Sequence, residues 1–161
     1  MSVKIRPVEL SDRAAWNALW KAYVKFYDGK LPKDVVETLW WRLHDKASSV
    51  RGVVAVNNGK VIGIAHYVLS PHTWSRNHIC YLEDLFVSNA ARGQGAARAM
   101  IAWLHAEARR HGWKRLYWMT DANNKTAQHL YDRVAERTQW IRYDMDLTKS
   151  VSSPRKRGSS G

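Results

Sequence analysis

Two short stretches carry side chains of the kind that move protons or hold anions. Glu83 and Asp84 are adjacent carboxylates inside Ile79-Cys80-Tyr81-Leu82-Glu83-Asp84-Leu85-Phe86-Val87, an otherwise strand-forming run. A carboxylate accepts a proton from a nearby acid and draws in cations. Successive strand residues face opposite sides, so only one of the pair enters a given cleft unless the strand bulges. The bland alternative is that both pair with Arg or Lys neighbours. Downstream, Arg92-Gly93-Gln94-Gly95-Ala96-Ala97 falls between the end of a strand and the start of a helix. There free backbone N–H groups and the helix dipole converge on an anion. No Gly-Lys-Ser/Thr follows, and Arg98 stands where a dinucleotide fingerprint needs its third glycine. Taken alone, the loop fits phosphate binding or a tight turn of small residues.

These groups need strands and helices to position them. Residues 3–6 form a short strand, and Ser11 then serves as N-cap, with Asp12 in the first turn. Trp16, Leu19, Trp20, Tyr23 and Tyr27 follow as one apolar helical stripe. Pro32 and the run 35–43 give a second, shorter helix. Residues 50–56 and 61–69 flank Asn57-Asn58-Gly59 as a hairpin, because Asn-Gly supplies the positive φ angles of a tight primed turn. A polar stretch, 70–77, leads into the carboxylate strand. After the glycine pair, Ala97, Met100, Ile101, Leu104 and Ala108 line one face of a helix ending near Gly112. A strand over 116–120, a helix capped by 121–124 and running to about Ala135, and a final alternating strand over 140–147 complete the chain. The order β-α-α-β-β-β-α-β-α-β predicts one α/β domain, residues 1–148, with a mixed, mostly antiparallel sheet flanked by helices.

Residues 79–147 resemble the acetyl-CoA-binding core of the GNAT superfamily of N-acetyltransferases. The superfamily pattern Arg/Gln-x-x-Gly-x-Gly/Ala is met by Arg92, Gly95 and Ala97, and its pattern Asn-x-x-Ala-x-x-Leu/Phe-Tyr by Asn124, Ala127, Leu130 and Tyr131. Tyr81-Leu82-Glu83-Asp84 with Phe86-Val87 is similar to the polyamine and histone/polyamine branches. One departure is Gln139, where a glycine before an aromatic is usual.

The resemblance implies that acetyl-CoA is the co-substrate, its pyrophosphate on the backbone of Arg92, Gly93, Gln94, Gly95, Ala96 and Ala97. It implies that the pantetheine arm pairs with Leu85, Phe86 and Val87, that Asn124 contacts the cofactor, and that Tyr131 protonates the departing thiolate. The acceptor it implies is a primary amine, attacking directly in a ternary complex. Such an amine, with a pKa of about 10.4, is protonated at neutral pH and must first lose a proton. Glu83 is the expected base and Asp84 the expected substrate anchor, with Asp28 and Glu37 as further acidic neighbours. Tyr131 has a core-aromatic alternative. Trp40 and Trp41 suit either the wall of an alkylammonium site or core packing.

Lys and Arg total 26 against 14 Asp and Glu, a formal charge of +12, which favours an anionic ligand, nucleic acid or an acidic surface. Two other readings therefore stand: a macromolecular acceptor, either a lysine-rich tail or aminoacyl-tRNA, and a non-catalytic nucleic-acid-binding module. The basic Ser/Gly/Pro-containing tail, 149–161, reads as disordered. His66, His78 and His129 have no metal-ligand spacing, and Cys80 is alone, so no metal site is expected. The chain has neither an eighteen-residue apolar run nor a secretory pattern, so a soluble cytoplasmic protein is the expectation. Family habit and the amphipathic last strand suggest a homodimer.

Overall fold

In a computed structural model, residues 2–148 are described; the predicted tail at 149–161 lies outside them. The described chain forms two compact units that divide between Asn124 and Lys125. The first unit holds a five-stranded sheet in sequential order. Its strands are β1 (Lys4–Pro7), β2 (Val50–Asn57), β3 (Lys60–His72), β4 (Ser75–Val87) and β5 (Arg115–Tyr117). Pairing is antiparallel from β1 to β4 and parallel between β4 and β5. The mixed, mostly antiparallel α/β architecture read from the sequence is the one observed.

Helices α1 (Arg13–Phe26) and α2 (Lys33–His44) carry the tryptophans of the main core. Trp16, Trp20 and Trp40 are buried with Leu19, Leu43, Val54 and Ile64. The helical stripe places Trp16 over Trp20 at 6.2 Å and against Trp40 at 5.0 Å. Ser11 does not cap α1. A 3-10 turn, Leu10–Asp12, precedes the helix, and the Glu9 N–H donates to the Asp12 carboxylate at 2.8 Å. Asp12 is buried because Arg6 meets both of its oxygens, at 2.7 and 2.9 Å.

Helix α3 (Ala96–His111) contributes the buried residues Ala96, Met100, Ile101, Leu104 and Ala108, the face expected from periodicity. Strand β3 separates the two layers by alternation: Ile64 and His66 meet the tryptophans of α1, whereas Gly63 approaches Met100 and Tyr67 packs near Trp103 of α3. The Asn58-Gly59 turn has the positive φ values, 50° and 72°, that a primed hairpin needs. The polar stretch 70–77 is part of a longer second hairpin, with β3 reaching His72 and β4 starting at Ser75.

The second unit begins with α4 (Lys125–Val134). The predicted last strand, 140–147, is not a strand here, and the sheet stops at β5. Alternation gives a segment two faces but no ladder partner, and without one it is not a strand. Trp140, Ile141, Tyr143, Met145 and Leu147 are all exposed, at 77–91%. Gln139, where the family pattern has glycine, lies in the same irregular stretch. Among the described residues, no helix is long and apolar enough to cross a membrane.

Candidate active site

The glycine loop forms where β4 gives way to α3. A 3-10 turn, Asn89–Ala91, follows β4, and Arg92 leads into Gly93 and Gly95, whose φ angles are 80° and 78°. An L-residue with a Cβ disfavours that left-handed region, so the backbone shape explains both glycines. A Cβ at either position would meet nothing within 4 Å, so packing does not explain them. The Gln94 side chain accepts from Asn57 Nδ2 at 2.9 Å, tying the loop to the end of β2. Gly95 caps α3, and the Ala99 N–H is the first to bond back, to the Gly95 carbonyl at 2.9 Å. The amides of Ala96, Ala97 and Arg98 precede that bond, as at any helix start. An exposed loop of small residues leading into a sixteen-residue helix fits a phosphate group.

Beside the loop, β4 parts from β5. The parallel ladder joins 79–81 to 115–117 and goes no further, while β4 continues to Val87. Leu85, Phe86 and Val87 therefore lie on a stretch of β4 edge beyond the reach of β5, next to the glycine loop. An extended amide-bearing arm fits such an edge through main-chain hydrogen bonds.

The carboxylate pair sits at a bulge on the same strand. Asp84 pairs with His66 and Leu82 with Tyr67, so Glu83 has no counterpart of its own on β3. The extra residue breaks the alternation that would send Glu83 and Asp84 to opposite faces. Glu83 is exposed and Asp84 half-buried. Although the residue as a whole is exposed, partial burial of its carboxyl, then the neighbouring Asp84 charge, push Glu83 above the usual carboxylate range. A carboxylate so raised is a better proton acceptor near neutral pH.

Asp84 is less free than the sequence implied. His66 Nδ1 lies 3.0 Å from Asp84 Oδ2, and the Tyr23 hydroxyl, raised by burial and then by the Asp84 charge, faces the same carboxylate. His66 Nε2 in turn accepts from the Trp16 indole N–H at 2.9 Å. Neither His66 nor Tyr23 stands out in the sequence as functional. His66 has no ligand spacing, and Tyr23 belongs to an apolar stripe. The missing signal is tertiary, because the partners are 18 and 50 residues away from His66.

The other predicted residues divide. Trp40 is buried among Trp16 and His44, with the Arg13 guanidinium over its ring at 5.1 Å, so it is a core side chain and not the wall of an open site. Trp41 is exposed and lines a wide, open depression with Asp34, Glu37 and Asp45. Glu37 already pairs with Arg13. Asn124 closes the first unit, and Tyr131 lies half-buried on α4 of the second. The first unit alone thus brings together Glu83, Asp84, the β4 edge and the glycine loop. Among the described residues, no group of three or more His, Cys, Asp or Glu is arranged to hold a metal ion. Cys80 is buried, and burial raises its thiol to about 12, which leaves it unreactive.

The model of the acetyltransferase (GNAT) family matches residues 14–135. The chain is 34% identical to the D-amino-acid N-acetyltransferase of Saccharomyces cerevisiae over 143 residues, 88% of this chain and 89% of that one. Its fold is similar to that of a ribosomal-protein-alanine N-acetyltransferase from Brucella melitensis, with a TM-score of 0.77 at 20% identity over 91% of this chain and 100% of that one. It is also similar to AAC(6')-Iy in complex with a CoA bisubstrate analog, with a TM-score of 0.74 at 18% identity over 91% and 99% of the two chains.

Proposed function

Because the chain belongs to the acetyltransferase (GNAT) family and is an acetyl-CoA-dependent N-acetyltransferase by that membership, we propose that its acceptor is a small primary amine deprotonated at the β4 bulge. The observation that carries this is the placement of Glu83 and Asp84 together opposite His66, beside the β4 edge and the glycine loop. Acetyl-CoA supplies the thioester. The backbone of Arg92, Gly93, Gln94, Gly95, Ala96 and Ala97 holds its phosphates, the edge at Leu85, Phe86 and Val87 aligns its arm, and Asn124 adds a side-chain contact.

Glu83 takes one proton from the ammonium and passes it to solvent, leaving a lone pair to attack the carbonyl. Strand-end amides stabilise the developing oxyanion. The tetrahedral nitrogen then loses its second proton, which balances the one that the Tyr131 phenol gives to the departing thiolate. Two acidic side chains suit a cationic acceptor, so a polyamine, diamine or lysine-like amine is the first reading. The relative named for D-amino acids favours an α-amino acid as the second. The exposed apolar side chains at 140–147 support a homodimer that covers them.

The test is thiol release from acetyl-CoA across spermidine, diamines, lysine analogues, D- and L-amino acids, histone-tail peptides and aminoacyl-tRNA. Transfer to a diamine or polyamine at the highest kcat/KM is expected, whereas D-amino acids leading the series would establish the second reading. Tyr131→Phe should keep CoA binding and lower turnover at least about tenfold. Unchanged turnover would remove its acid role.

A further inference from the structure

Two consecutive carboxylates at one bulge need not do the same work, and their surroundings differ. Glu83 is exposed, while Asp84 is 16% exposed, hydrogen-bonded to His66 and faced by the Tyr23 hydroxyl. His66 is itself 1% exposed and closed off by Trp16 at 5.9 Å and by the edge-on ring of Trp20 at 4.9 Å. An indole nitrogen only donates. The Trp16 N–H therefore occupies the lone pair of His66 Nε2, and the ring proton must sit on Nδ1, where it donates to Asp84. A second proton on the ring would set two N–H donors face to face across 2.9 Å. His66 is thereby a fixed donor with no basic nitrogen to offer, which rules it out as the amine's base.

We propose that Trp16, His66 and Tyr23 clamp Asp84 as the fixed carboxylate of the pair, leaving Glu83 as the member that exchanges the proton. His66 is a positioning residue for the deprotonation step, and this rests on the amine-acetylation reading above. The clamp fixes the direction of the Asp84 oxygens and keeps a negative charge beside Glu83. The titratable groups facing it are Tyr23 on α1, with Tyr27 packed on it at 5.0 Å, and Glu83 and Tyr81 on β4. From α2, His44 packs on Trp40, which separates it from Trp16.

The test joins nitrogen-15 NMR of the histidine rings with pH–rate profiles for wild type, Trp16→Phe, Tyr23→Phe and His66→Asn. In the wild type, the His66 ring should show the Nδ1–H tautomer, with Nε2 carrying no proton. Trp16→Phe removes one N–H and keeps an aromatic ring. It should free Nε2, admit the Nε2–H tautomer alongside Nδ1–H, and lower kcat/KM about three- to tenfold. Tyr23→Phe removes a single hydroxyl and should lower kcat/KM about three- to tenfold with little change in melting temperature. His66→Asn, which can still donate, should retain more activity than His66→Leu.

A wild-type His66 that shows the Nε2–H tautomer overturns the clamp. So does a Trp16→Phe protein whose His66 tautomer changes while its kcat/KM stays at the wild-type value. Should Trp16→Phe fail to fold, a Tyr23→Phe profile identical to the wild type overturns it instead. The NMR measurement needs no turnover. A wild type that acetylates no amine therefore refutes the proposed function, while the tautomer is still read separately.

Discussion

Gly95→Ala should weaken acetyl-CoA binding without blocking it. Gly95 has φ 78° and ψ 14°, and an added Cβ meets no neighbour within 4 Å. The cost is therefore that of an L-residue in the left-handed region, about 1–2 kcal/mol. Residues 92–95 are exposed and the tie to β2 runs through the Gln94 side chain, not through residue 95, so an alanine there relaxes out of the strained shape in the free protein. Restoring the cradle then opposes binding by that amount. At 1.4 kcal/mol per decade, the dissociation constant rises about five- to thirtyfold. Gly59→Ala is the internal control, because Gly59 also has a positive φ, 72°, and open space around a Cβ. Its turn is pinned by the β2–β3 ladder, so there the same penalty falls on stability and leaves acetyl-CoA affinity unchanged. Titration calorimetry with acetyl-CoA and thermal unfolding of both variants decide the matter. Wild-type affinity in Gly95→Ala, or equal weakening in Gly59→Ala, would refute the assignment of the loop.

Three other outcomes follow from the structure. Asp12→Asn should cost about 2–3 kcal/mol in urea unfolding at pH 7, less than a fully buried pair because Arg6 is a third exposed. Arg6 holds the Asp12 carboxyl below its usual range, so this stability is complete above the unfolded value of about 3.9 and is lost as pH falls through the folded one. Glu83→Gln should slow transfer, with partial recovery at high pH where free amine is abundant. Its folded carboxyl is raised, so ionising it destabilises as pH rises through that value; the variant should melt higher than wild type at pH 8, with the difference vanishing below about pH 4. Replacing Trp140 and Tyr143 with glutamate should convert a dimer to a monomer in sedimentation velocity, and a monomeric wild type would dispose of the assembly.

What was legible in the sequence was what neighbouring residues decide. Asn58-Gly59 dictates its turn through its own backbone, and the apolar period of α3 survives because that helix packs on one face. The glycine loop was legible because two positive φ angles before a helix leave few other residues possible. The bulge was not, since nothing near Glu83 marks which residue of β4 will lose its partner; that follows from how β3 aligns Tyr67 and His66 against it. His66 looked idle because its two partners come from another strand and another helix. Residues 140–147 depart from the expected strand for the complementary reason, as alternation describes a strand's faces and is silent on its neighbours. Trp40 and Trp41, adjacent and alike, part by about a quarter of a helical turn into core and surface.

The early end of the β4–β5 ladder at Tyr81 has a consequence for how such a site diversifies. In the proposed arrangement the acyl donor is gripped by main-chain groups, along the β4 edge and around the glycine loop. Main-chain groups are the same whatever side chain they carry. Substitutions on the bulged face of β4 and on α1 can therefore change which amine is admitted while the grip on the donor stays intact. One half of the reaction is conserved by geometry, and the other is left open to drift.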